Sequence, residues 1–174
     1  MEFSIIKSME ILERTPQVLT NLLYNISDDW SKSNEGEQTW SAYDIIGHLI
    51  HGEKTDWIER IALIMSDQAD KNFTPFDRYA QFESNKDKSL TELLNTFSIL
   101  RRANLERLKA FDIQESALNR PGIHPAFGEV TLSQLLATWV VHDLNHLAQI
   151  SRVMASQYKE QVGPWIAYLK ILNS

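Results

Sequence analysis

The chain of 174 residues contains no cysteine. That absence removes thiolate nucleophiles, disulfides and every cysteine-ligated zinc or iron–sulfur centre. A bound metal would have to use histidine and carboxylate ligands. Positive charge is also in short supply, since 17 Lys and Arg against 23 Asp and Glu leave a formal charge of −6. A field of that sign repels phosphate backbones and anionic lipid, so neither nucleic acid nor a membrane surface is an expected partner. No apolar run approaches the roughly 18 residues of a membrane span. The opening MEFSIIKSMEILERT is broken by charges and lacks the apolar core of about 7–15 residues that a secretory signal needs. The expectation is a soluble, cytoplasmic protein. With only six Gly and five Pro, 43% apolar and 23% charged residues, the composition excludes disordered, collagen-like and low-complexity chains. Its length suits one domain, residues 1–174.

Strand-like alternation is nearly absent, whereas four long stretches space their apolar residues by three and four, which predicts an all-α protein. The first stretch runs from about Phe3 to Ile26, with Thr15-Pro16 in its middle marking either a kink or two segments. After a polar linker, Ser27 to Gln38, the second begins near Trp40, where Ser41 and Asp44 resemble a capping box with a shortened acid, and continues to about Met65. Asp67 to Lys88 reads as a connector, and its Phe73, Phe76, Tyr79 and Phe82 imply that it packs down on the helices. The third helix spans Ser89 to about Phe111. Residues 120–128 (RPGIHPAFG) form the strongest breaker cluster, after which the fourth helix runs from Thr131 to about Tyr158 and Trp165 to Leu172 supplies a short apolar tail helix. These are the parts of a four-helix bundle with a short additional C-terminal helix.

Five histidines are present: His48, His51, His124, His142 and His146. An i,i+4 pair among so few arises by chance in roughly one such sequence in ten, so His142-x-x-x-His146 is a modest signal by itself. Geometry strengthens it. Four residues advance a helix by one turn and about 40°, which lets two imidazoles reach one ion. The pair shares a stripe with Leu135, Trp139, Ile150 and Val153 and so faces a bundle interior, where such proteins place metals. Two core histidines satisfied by hydrogen bonds are the plainer alternative. A catalytic zinc-type site needs three protein ligands plus an exchangeable position, and the third would come from His48 or His51. A helical wheel over the second helix, centred on Ile46, Ile50, Trp57, Ile61 and Ile64, places His48 on the opposite side. Only the small Gly52, one turn on, offers room for an ion or ligand beside it.

Trp40-Ser41, then His48-Leu49, then after a long gap Trp139-Val-Val-His142-Asp-Leu-Asn-His146 resembles the DinB-like (damage-inducible) superfamily, which is distinct from the DNA polymerase sharing that name. The resemblance extends over nearly the whole chain in helix order. It implies a four-helix bundle, often dimeric, with one divalent metal held by three histidines, here His48, His142 and His146. Zinc, nickel and iron all suit imidazole ligands. Three neutral ligands leave the ion its full charge and an open position, and the family's members include thiol-dependent transferases and an isomerase as well as inferred hydrolases. A small-molecule substrate, with water or a low-molecular-weight thiol as nucleophile, is the implied chemistry. The contrasting expectation is a non-catalytic metal- or ligand-binding stress-response module.

Other polar residues fall in telling places. Glu53 lies in the middle of the apolar face of the second helix, where an ionised carboxylate needs a partner or a raised pKa. It is a candidate general base, or else the buried partner of Arg60, Arg101 or Arg102. Asp143, among Leu136, Trp139, Leu147 and Ile150, can accept the free ring N–H of a ligating histidine or form a salt bridge. Gln149 continues the histidine stripe and can touch a substrate, hold a water or make a core hydrogen bond. His124, with Phe127, can belong to a lid, although most loop histidines are simply exposed.

Overall fold

The computed structural model describes residues 2–173. Its first bundle arm is two helices, α1 (Ile5–Leu12) and α2 (Thr15–Leu23), with Pro16 in the opening turn of α2, where its missing N–H costs nothing. The linker that follows is not wholly irregular, because Asp28–Lys32 forms a short helix, α3, with two acids in its first turn that favour the N-terminal dipole. The second arm opens on the Ser41–Asp44 capping box, both reciprocal bonds being present. It is divided into α4 (Ala42–Thr55) and α5 (Trp57–Met65) by Asp56, whose φ of −116° and ψ of −81° leave the helical region. Within the connector, α6 (Ala80–Asn85) packs on α4. The third arm, α7 (Leu90–Ala110), and the fourth, α8 (Leu132–Ser156), start on the capping boxes Ser89–Glu92 and Thr131–Gln134.

Residues 120–131 do more than break a helix. Pro121–His124 (β1) and Gly128–Thr131 (β2) pair antiparallel, Pro121 opposite Thr131 and His124 opposite Gly128. Gly128 takes a φ of +71°, which glycine adopts without strain. The connector docks on this hairpin: the Phe73 N–H donates to the Ile123 carbonyl and the Ile123 N–H to that of Lys71. Lys71 itself closes the end of α5, its Nζ donating to the Leu63 and Ser66 carbonyls at 2.6 and 2.8 Å. Phe73 is buried and Phe76 half-buried, as packing of the connector requires, but Tyr79 and Phe82 are exposed. The tail is helical only as 3-10 turns, Gly163–Tyr168 and Lys170–Leu172, with Trp165 and Tyr168 exposed. No helix among the described residues is long and apolar enough to cross a membrane.

The apolar core forms two clusters. One gathers Leu12, Trp57, Ile61, Leu105, Leu136 and Trp139; the other gathers Leu19, Ile46, Ile50, Leu94, Phe97 and Ile150. Along α4–α5, α7 and α8 alike, the residues between these two sets are polar and buried: Glu53, Arg101 with Asn104, and Asp143 with His146. The bundle therefore carries a polar layer between two greasy ones.

Candidate metal centre

At the heart of that layer, Arg101 spends all five N–H donors. Its Nε and Nη2 donate to Glu53 Oε1 at 3.1 and 2.8 Å, Nη2 and Nη1 to the two oxygens of Asp143, and Nη1 to the Leu12 carbonyl at 3.1 Å. Asn104 Nδ2 donates to the remaining Glu53 oxygen at 3.0 Å and to its carbonyl at 2.7 Å. Phe97 and Trp139 flank the guanidinium at 4.9 and 5.1 Å, close enough for cation–π attraction. Of the three arginines considered for Glu53, Arg101 is thus its partner. Asp143 shares the same cation, and neither carboxylate hydrogen-bonds a histidine.

His48, from α4, meets His142 and His146, from α8. The His142 Nε2 stands 3.0 Å from His48 Nε2 and 3.1 Å from His146 Nε2, and all three ligand atoms lie within 4.8 Å of one another. Around a tetrahedral ion with ring-nitrogen bonds of about 2.0–2.1 Å, neighbouring ligand atoms are about 3.3 Å apart. The spacing fits a single small cation. Burial, reinforced by the neighbouring imidazoles, pushes His48 down to about 3 and His142 to about 2. Burial also lowers His146, against opposing contributions from Gln149 and Asp143. All three rings therefore stay neutral at physiological pH, as metal ligation requires. Gln149 Oε1 lies 2.8 Å from His146 Nδ1; with the proton on Nδ1, Nε2 presents a lone pair to the cluster. The Nδ1 atoms of His48 and His142 are buried without a hydrogen-bond partner.

Aromatic rings hold these imidazoles in place. Trp40 and Phe76 flank His48 at 4.9 and 5.4 Å, and Trp57 meets the edge of His142 at 5.0 Å. His51 is outside the cluster: it packs on Phe76 and has Thr55 Oγ1 3.4 Å from its Nε2. His48 is buried, contrary to the helical wheel, for two reasons. The break at Asp56 shifts the phase of the residues used to centre that wheel, and α4 is covered on most sides by α3, α6, α7 and α8. Nor does Gly52 leave a space, because a Cβ there would lie 3.1 Å from the Trp57 indole nitrogen.

The three histidines form the floor of a cleft of about 410 Å³, within the size range of small-molecule sites. Trp57, Phe73 and Phe76 wall one side, Leu135 and Thr138 of α8 another, and His124, Phe127 and Val130 of the hairpin reach its rim. His124 and Phe127 stack at 4.4 Å, and Ala126 N–H donates to His124 Nδ1. Two charged residues of the wall, Asp56 and Arg60, pair at 2.6 Å, and burial raises Asp56 to about 6 in spite of Arg60. Sequence reasoning missed this pair and the part the hairpin plays. An Asp followed four residues later by Arg on a helix was a readable signal for the pair alone.

No curated protein matches the chain. Among solved structures, YfiT from Bacillus subtilis, described as a probable metal-dependent hydrolase with an unusual four-helix bundle topology, matches with a TM-score of 0.73, 18% identity, and coverage of 93% of this chain and 91% of its own. At that identity the likeness concerns the fold. The model of the DinB superfamily matches residues 11–150, a span from α1 into α8 that includes His48, His142 and His146, and the chain belongs to that superfamily.

Proposed function

We propose that the protein is a metal-dependent enzyme for small molecules, with His48, His142 and His146 as ligands of one divalent cation, either zinc, nickel or iron. The convergence of three neutral Nε2 atoms, that of His142 standing 3.0 and 3.1 Å from the other two, on the floor of an open cleft carries this reading. When bound, such a cation supplies Lewis acidity at an open coordination position. The nucleophile comes from outside, as water or a low-molecular-weight thiol, because the chain has no cysteine. Hydrolysis and thiol transfer are the two reactions that fit. Glu53 has both oxygens engaged by Arg101 and Asn104, so its part is to hold α4 against α7. Asp56 is the carboxylate that lines the cleft, and a pKa near 6 suits it to hold or release a proton there. Gln149 fixes the tautomer of His146, and Asp143 anchors the intervening turn of α8 through Arg101. Val141 and Leu144, exposed on α8, support the homodimer that the family suggests, which analytical ultracentrifugation measures.

Metal analysis tests the foundation. Protein purified without chelator, or stripped and titrated with zinc, nickel or iron, should take up one ion per chain. Replacing His142 or His146 by Ala should abolish uptake while the far-UV dichroism is retained. No uptake by the wild type, or tight uptake by either variant, would remove the reading. Turnover of ester, amide and electrophilic probes by the loaded protein, with and without thiol, separates an enzyme from a ligand-binding module.

A further inference from the structure

The protein as a whole is acidic, at −6, yet the cleft above the histidines is not. Its fixed charges are Asp56, Arg60 and Arg78. The first two cancel in their ion pair. Apart from any ion held by the histidines, one side-chain positive charge remains. Arg78 has neither an ion pair nor a hydrogen-bond partner among the described residues. Its sequence neighbour forms no ion pair with it: Asp77 Oδ1 instead accepts the Tyr79 and Ala80 N–H groups at 2.9 and 3.2 Å, and Asp77 is not part of the cleft lining. Arg78 is nonetheless close enough to the floor for its charge to disfavour protonation of His48. Two residues earlier, Phe76 lies against His48 and His51 at 5.4 and 4.8 Å, which pins the start of this segment over the site.

We infer that the cleft takes a small amphipathic carboxylate, whose anionic group is recognised by the Arg78 guanidinium and whose apolar body rests against Trp57, Phe76 and Phe127. The inference rests on the cleft being the substrate site proposed above. A guanidinium is suited to the task because its parallel N–H groups match the two oxygens of a carboxylate. The aromatic walls provide the area an apolar body needs, and they lie on the connector, α5 and the hairpin, so that the selecting charge and the selecting rings share one opening. Arg78 is thus a specificity-determining residue, separate from the residues that hold the ion.

The probe pair is 3-phenylpropionate and its neutral amide, 3-phenylpropionamide, which differ in the charged group alone. Binding to the full chain, stripped of metal by chelator so that no ion competes for the carboxylate, is followed by the fluorescence of Trp40 and Trp57 in the cleft. The wild type should favour the carboxylate about tenfold; Arg78→Gln should bind both probes alike, and Arg78→Lys should keep a preference. Zinc uptake, measured on the same variants, should stay at the wild-type stoichiometry. Equal binding of the two probes by the wild type, no binding of the carboxylate, or a preference that persists in Arg78→Gln overturns the inference. Because the probes are compared without metal, failure here with zinc uptake intact leaves the metal reading standing, and loss of zinc uptake with the preference intact removes the metal reading alone.

Discussion

Replacing Arg101 by Met removes the one cation that faces Glu53 and Asp143 inside the polar layer. The two carboxylates are 3% and 0% exposed, so they cannot recover the lost bonds from water. Breaking a buried pair by deleting one partner costs about 3–5 kcal/mol, and here two carboxylates are abandoned at once, which places the expected loss near the upper end. Met keeps the unbranched stem of the side chain but ends short of the guanidinium that contacts Phe97 and Trp139, so some packing is lost together with the charge. Against a domain stability of about 5–15 kcal/mol, such a loss is large. The assay is equilibrium urea denaturation in chelator, read by far-UV dichroism and tryptophan fluorescence, with the m-value checked for constancy. A companion variant, Arg101→Met with Glu53→Gln and Asp143→Asn, removes all three charges and should regain at least half of the loss. A cost under about 1 kcal/mol for Arg101→Met would refute the claim that the layer is dry and electrostatically paired. Equal losses in the two variants would show that packing, and not the stranded carboxylates, is responsible.

Acidification should weaken the metal-free protein. Folded-state values of about 3 and about 2 for His48 and His142 lie below the unfolded value of 6.5, so the stability these groups contribute is full above pH 6.5 and falls as the pH drops toward the folded values, by about 2 kcal/mol each between pH 7 and pH 5. Asp56 acts in the opposite sense, since a value raised from 3.8 to about 6 returns about 1 kcal/mol over the same interval; urea midpoints at the two pH values measure the net loss, and an unchanged midpoint would contradict burial of the imidazoles. Gln149→Ala should weaken zinc affinity about 10–100-fold, without unfolding, by freeing the His146 ring, as isothermal titration would show; an unchanged affinity would mean that Gln149 does not orient the ligand. Gly122→Ala should cost about 1–3 kcal/mol and loosen the cleft wall, because the added Cβ would meet the Phe73 ring at Cζ and Cε1, the latter 2.6 Å away. Thermal denaturation of that variant gives the check.

What could be read from the sequence was whatever depends on neighbours within about one helical turn. The Ser41–Asp44 cap and the His142–His146 pair are local patterns, and both appear as expected. The partnership of Glu53 with Arg101 was among three options, because a buried carboxylate announces a need for a cation without naming it; the choice is made by packing between residues 48 positions apart. His48 was misplaced by the wheel since amphipathicity locates only a helix with one solvated side, and α4 has buried residues nearly all round. The cleft was the least legible part. Much of its wall and rim comes from a connector and a hairpin too short for their periodicity to register, and the Pro and Gly that suggested an interruption serve the hairpin: Gly122 leaves room for Phe73 and Gly128 takes a positive φ beside the turn. His142 and His146 could therefore be paired from one helix and His48 only through the family resemblance, whereas much of the opening above them is formed by irregular chain. That division has a physical basis: the bundle needs rigid helices to hold ligand atoms near 3 Å apart, and loops supported by that scaffold can vary the opening without disturbing the floor.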